Sequence, residues 1–274
     1  MVLVEPGAVS RSAPCAEAER VIWHDLECGG YRADLALWRE LAEQARAGSE
    51  PAWILDVGAG AGRVALALAR DGHNVTALDL DPALLHALEQ RAGVLAIATV
   101  CADARSFTLA RSDFALCLVP MQTIQLLGGA AARAEFLLRA RAHLRPGGLL
   151  ACAIVTAVEP FDCADGDLGP APERAHLDGA LYLSRPTRVV VLADSILIER
   201  ERLIYRDHEL TGAEHAHPRH SAEPQGERNV IELQRVEPSQ LEQEAIAAGL
   251  QPESTRALRP TDDHVGGTVV MLRA

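Results

Sequence analysis

The residues best suited to chemistry lie in one short run, Ile54-Leu55-Asp56-Val57-Gly58-Ala59-Gly60-Ala61-Gly62-Arg63, and Asp79 follows one strand later. A strand that breaks into glycines and restarts as a helix brings backbone N–H groups close to a ligand, because no side chain intervenes. A carboxylate at the tip of the next strand can accept two hydrogen bonds from a ribose. The pattern therefore points to a nucleoside-containing cofactor. A dinucleotide fingerprint asks for its third glycine at position 63, where this chain has Arg63, and dehydrogenases usually keep the strand apolar where Asp56 stands.

The glycines at 58, 60 and 62 behind Asp56 resemble the first motif of class I S-adenosylmethionine-dependent methyltransferases, D/E-x-G-x-G-x-G. Further segments resemble later motifs of that family in the same order. They are Val75–Pro82, Cys101-Ala102-Asp103-Ala104, Asp113–Pro120 and Leu144–Gly148, then the tail Gln240–Gly249 with Thr268–Leu272. The resemblance covers most of residues 31–157 and 229–274 and is nearest the bacterial small-molecule branch.

The resemblance implies S-adenosylmethionine as cofactor and S-adenosylhomocysteine as product. It places Asp56 near the amino-acid portion, with Gly58, Ala59, Gly60, Gly62 and Arg63 along the turn. Asp79 would hold the ribose, Asp103 and Ala104 the adenine edge, and Leu80 with Leu118 or Val119 the apolar walls. Tyr31, in a Tyr-x-x-Asp stretch, would fold over the cofactor. Many relatives carry a small polar residue after the fourth strand, where this chain has Met121-Gln122, so Gln122 becomes the candidate acceptor contact. An in-line transfer from a sulfonium needs mainly alignment and exclusion of water. The motifs contain no base, and His208 and His264 are the only catalytic candidates. Glu159 and Asp162 after the fifth strand suit an amine-bearing acceptor, which favours N-methylation over O-methylation. A nicotinamide-dependent dehydrogenase on a similar sheet and a non-catalytic S-adenosylmethionine-binding protein remain the alternatives.

The elements that must position these residues follow from periodicity. Alternating strands and helices over residues 31–157 predict a doubly wound, Rossmann-like seven-stranded α/β sheet with helices on both faces and an antiparallel last strand. Asp81-Pro82 predicts a capped helix start. Alternation over Leu181–Tyr205 and Asn229–Val236 predicts a β-rich insertion, residues 158–236, covering the substrate. Residues 1–30 are read as a lid, and 1–274 as one domain.

Composition narrows the partners. Of 274 residues 49% are hydrophobic and 23% charged, which is globular. All 26 basic residues are arginine, so Schiff-base chemistry and a P-loop lysine are excluded. A net charge of −12 argues against nucleic acid, and no apolar run is long enough to span a membrane. Six scattered cysteines without C-x-x-C spacing predict neither disulfides nor metal, and suggest a reducing cytoplasm. His215, His217 and His220, in a polar stretch over His208–Arg228, are read as a solvated loop and not as metal ligands. The expected partner is a small-molecule methyl acceptor, and homodimerisation is left open.

Overall fold

The computed structural model describes residues 13–47, 51–206, 224–261 and 264–274. Helices α1 (Ala13–Cys28) and α2 (Leu35–Ala47) lead into β1 (Trp53–Val57), α3 (Arg63–Arg70), β2 (Asn74–Asp79) and α4 (Pro82–Ala92). Strands β3 (Ile97–Cys101) and β4 (Phe114–Val119), helix α5 (Ala130–His143) and strand β5 (Leu144–Ile154) follow. After the second sheet, described below, the chain returns through α6 (Pro238–Ala247), the short β11 (Gln251–Pro252) and β12 (Arg256–Leu258), and β13 (Gly267–Arg273).

The main sheet runs β11-β13-β5-β4-β1-β2-β3, with β12 pairing on β13. Strands β1 to β5 are parallel, and β13 lies antiparallel on β5 with Val270 opposite Cys152. An antiparallel strand at this place departs from the all-parallel order of dinucleotide-binding folds. Strand alternation divides the core in two. Ile54, Leu116 and Ala151 pack with Trp38, Val64 and Leu88 from α2, α3 and α4. Leu55, Cys117 and Leu150 face the other way, onto Phe136 and Leu241 from α5 and α6. Helices therefore cover both faces.

The predicted strand–turn–helix is present, with α3 beginning at Arg63. Asp81 caps α4, its side chain accepting from the Ala83 N–H, with Pro82 in the first turn. A bulge interrupts one long strand of the predicted insertion between Pro186 and Arg188, where Pro186 has no N–H to donate to the ladder. That strand, β8 (Ala180–Val191), pairs with β9 (Ser195–Arg206), which pairs with β10 (Gln225–Gln234). Short strands β6 (Phe161–Asp162) and β7 (Glu173–Leu177) complete the second, five-stranded sheet. Strand β10 begins inside the stretch expected to be a loop. His208, His215, His217 and His220 fall outside the described residues. Among the described residues, no helix is long and apolar enough to cross a membrane.

Helix α1 joins the two sheets. Its Trp23 packs edge-on against Tyr182 of β8, with ring centroids 5.3 Å apart. Glu27 accepts from Arg202 at 2.7 Å and from the Ser184 hydroxyl at 2.7 Å. On its other side Asp25 pairs with Arg91, and Arg20 with Asp81, both partners lying on or beside α4.

Candidate active site

Beyond β1 the chain turns through Gly58 (φ +72°), Gly60 (φ +54°) and Gly62 (φ +94°). The left-handed backbone at these positions favours glycine. The turn is fastened to β2, since the Gly58 and Ala59 N–H groups both donate to the Leu78 carbonyl. The Gly60 N–H donates to Asp79 Oδ2 at 2.7 Å, and Asp79 Oδ1 accepts from the Asp81 N–H at 2.9 Å. The strand-tip carboxylate is thereby oriented beside the turn.

A cleft of about 490 Å³ opens over this turn. Asp56, Gly58, Ala59 and Arg63 form its floor, and Asp79 with Leu80 one side. Asp103 and Ala104 line it next to Arg105. Leu80 and Leu126 stand 67% and 54% exposed, and both line the cleft. Asp103 accepts from both the side chain and the N–H of Arg105, and these bonds hold its carboxyl down at about 2.

Asp56 is the anomaly of the site. It is fully buried, and apart from the approach of the Ala65 N–H neither carboxylate oxygen has a hydrogen-bond partner. Burial pushes its pKa up to about 7 against the opposing pull of Arg63. A buried polar group without a partner is costly and calls for an explanation. A ligand bearing a donor or a positive charge would supply the missing partner. The three carboxylates fit S-adenosylmethionine as acceptors: Asp56 would face the charged amino-acid end, Asp79 the ribose and Asp103 the base.

Other expected residues are placed differently. Gly62 does not line the cleft, and a side chain there would collide with Leu88 and Leu66, so its smallness serves the packing of α3 on α4. A side chain at Gly60 would strike the His24 ring of α1. Leu118 and Val119 are fully buried on opposite faces of β4 and form no wall. Tyr31 is tied to Arg63, whose Nη1 donates to the Tyr31 carbonyl, but its ring faces a second cavity and lies 4.8 Å from that of His264.

The second cavity, about 1550 Å³, lies between the end of β5 and the second sheet. Tyr31, His264 and Glu159 line it. Met121, Gln122, Ile198 and Leu233 line both cavities, so the two meet there. Met121 holds φ +54°, a strained conformation for a residue with a side chain.

Sequence reasoning did not single out His24, Cys28 and Thr123 of the smaller cleft, nor the second-sheet residues Ile198 and Leu233. Ile22, Trp23 and Leu26, three and four positions apart, carried the only signal for α1. It also missed Gln125, fully buried, which donates to the Val155 and Gln234 carbonyls and accepts from the Val155 N–H.

A family profile described as a methyltransferase domain matches residues 54–148, the segment that builds the turn, β2 and the floor of the cleft. Residues 54–148 thus match a methyltransferase domain, in keeping with the family motifs that the glycine turn and its carboxylates resemble. Solved structures share the fold of this chain. An amino pentose methyltransferase from Micromonospora echinaspora matches at TM-score 0.65 and 20% identity, over 98% of this chain and 100% of its own. A sugar N-methyltransferase from Streptoalloteichus matches at TM-score 0.67 and 19% identity, over 100% and 98%. A 1,6-didemethyltoxoflavin-N1-methyltransferase from Burkholderia thailandensis matches at TM-score 0.52 and 18% identity, over 98% and 92%. A search of curated protein sequences returns no match to this chain.

Proposed function

We propose that the chain transfers the methyl group of S-adenosylmethionine to the nitrogen of a small-molecule amine. The observation that carries this reading is the meeting of the two cavities at Met121, Gln122, Ile198 and Leu233. A cofactor over the glycine turn and an acceptor under the second sheet would approach each other there. The cofactor supplies an activated methyl on a sulfonium. The chain supplies placement: Asp56, Asp79 and Asp103 hold one partner, and Gln122 orients the other.

Water is kept from the junction by apolar side chains of β9 and β10 above it, and α1 closes the cofactor side through His24. In this reading α1 is the lid and the second sheet the roof over the acceptor. Amine over hydroxyl is favoured by Glu159, which lines the acceptor cavity, is exposed, and makes no hydrogen bond or ion pair among the described residues. Two of the structural relatives are named as N-methyltransferases, one acting on a sugar and one on a toxoflavin precursor. The five described cysteines carry free thiols, which suits a reducing cytoplasm.

The test combines the purified chain, methyl-labelled S-adenosylmethionine and a panel of amines and phenols. Label transfer to amines, with stabilisation by S-adenosylhomocysteine in a thermal shift, is the expected result. Transfer to hydroxyls alone would overturn the choice of nitrogen. Absence of any stabilisation would overturn the cofactor assignment.

A further inference from the structure

The acceptor cavity is larger than the roughly 300–1000 Å³ of pockets that hold drug-sized ligands. Its second-sheet wall carries an apolar cluster beside Arg200. Val189, Ile196 and Leu233 form a buried cluster there, backed by Val158, Phe161 and Ile198. Such a wall rewards burial of apolar area in proportion to its extent.

The charged groups of the cavity are unequally available. Arg200 donates to Glu173 at 2.5 Å and to the Ser184 hydroxyl at 3.3 Å, and its Nε lies 3.6 Å from Glu27. Arg235 donates from one nitrogen to the carbonyls of Leu192 and Ala193. Arg200 is thus held by carboxylates, whereas Arg235 has, among the described residues, only backbone carbonyls as partners. Recruiting Arg200 to a phosphate or carboxylate would strip the half-buried Glu173 of its cation, a costly exchange in a poorly solvated place. Of the lining carboxylates, Glu27 and Glu173 pair with arginines and Asp167 accepts from the Asp162 N–H, which leaves Glu159 unengaged among the described residues.

We infer that the acceptor is a bulky, mostly apolar molecule bearing a protonatable amine. This rests on the methyl-transfer reading of the same site. It adds the chemical class of the acceptor. The apolar body lies against β8, β9 and β10, and Glu159 attracts the ammonium form before the nitrogen loses its proton to solvent and reaches the junction.

The experiment uses the full chain saturated with S-adenosylhomocysteine and the fluorescent apolar probe N-phenyl-1-naphthylamine. Probe fluorescence should rise on binding. Dodecylamine should displace it at concentrations at least about tenfold below those needed for decanoate, and thymidine 5′-diphosphate should not displace it. Val191→Asp, a change at an exposed position of the cavity wall, should weaken the probe by about tenfold or more at unaltered melting temperature. Glu159→Gln should narrow the gap between dodecylamine and decanoate without changing probe affinity. Absent probe binding, a probe indifferent to Val191→Asp, or displacement by thymidine diphosphate or decanoate as readily as by dodecylamine would overturn the inference. The same samples report thermal stabilisation by S-adenosylhomocysteine, and its loss would sink the methyl-transfer reading independently of the probe.

Discussion

Arg63 and Asp34 meet in a two-point ion pair, 2.5 and 2.8 Å, with the aspartate side chain wholly shielded from water and the arginine nearly so. Asp34 also accepts from the Trp38 indole N–H at 2.7 Å, and Arg63 reaches on to the Tyr31 carbonyl. The pair ties α2 to the start of α3, directly behind the glycine turn. Removing one partner of a buried pair leaves the other charge uncompensated. Arg63→Ala is expected to lower unfolding free energy by about 3–5 kcal/mol. Asp34→Asn, which can still accept from Trp38, should cost less. Denaturant titration of both variants checks the order, and a wild-type midpoint for Arg63→Ala would refute it.

Asp79 is pre-oriented by two backbone N–H groups. Under the proposed function, Asp79→Ala should weaken S-adenosylhomocysteine by about 2–4 kcal/mol, roughly thirtyfold or more, through loss of ribose hydrogen bonds to a charged acceptor. Calorimetric titration measures it. Equal affinity in mutant and wild type would remove the ribose assignment.

Gly60→Val forces a β-branched residue to φ +54° and drives its side chain into the His24 ring. Strain of this kind costs about 1–3 kcal/mol before any collision. Cofactor affinity should fall at least as far as in Asp79→Ala. Adding His24→Ala should recover part of the loss, because it removes the collision but not the strain. A double mutant no better than Gly60→Val would show that His24 is not the obstacle.

Asp56 makes stability depend on pH in a defined direction. Its carboxyl titrates near 3.8 when unfolded and at about 7 when folded. Between those values the folded chain holds the extra proton, so stability declines as pH rises through the window and levels off above about 7. The decline is at most about 4 kcal/mol, and Asp56→Asn should flatten it. A bound cation next to the ionised carboxylate reverses the balance, so S-adenosylhomocysteine should bind more tightly as pH rises towards 7. Thermal scans from pH 4.5 to 8.5, with and without ligand, read both trends. Parallel profiles for wild type and Asp56→Asn would exclude the carboxylate as their source.

His264 lies against Tyr31 in the larger cavity, the acceptor site under the proposed function. With an amine acceptor, His264→Ala should lower kcat/KM by less than about tenfold, about 1.4 kcal/mol of barrier. A loss of about a hundredfold or more at unchanged cofactor affinity would make it a base and argue for hydroxyl chemistry.

The parts of the site legible in the sequence are those built from neighbours in the chain. Asp56, the glycines and Arg63 occupy one strand–turn–helix, so their spacing encodes their geometry. Asp81 and Pro82 announce the start of α4 in the same local way. Leu118 and Val119 were misplaced because strand alternation buries both faces of a central strand, leaving no side free for a ligand. His24, Ile198 and Leu233 were invisible for another reason. They reach the cleft through tertiary contacts such as Glu27 with Arg202, 175 positions apart, and no local period records such a pairing.

The hydrogen bonds of Gln125 bear on any attempt to re-engineer this protein by exchanging parts. This one side chain fastens the end of β5 to the end of β10, at the two points where the second sheet leaves and rejoins the main one. A graft that swaps residues 158–236 for those of another protein would cut across that fastening. It would also strand Trp23 and Glu27 of α1 without Tyr182, Ser184 and Arg202. The transplantable unit is therefore discontinuous, comprising α1, the segment carrying Gln125 and the second sheet, and only a chimera that moves all three together keeps its joints intact.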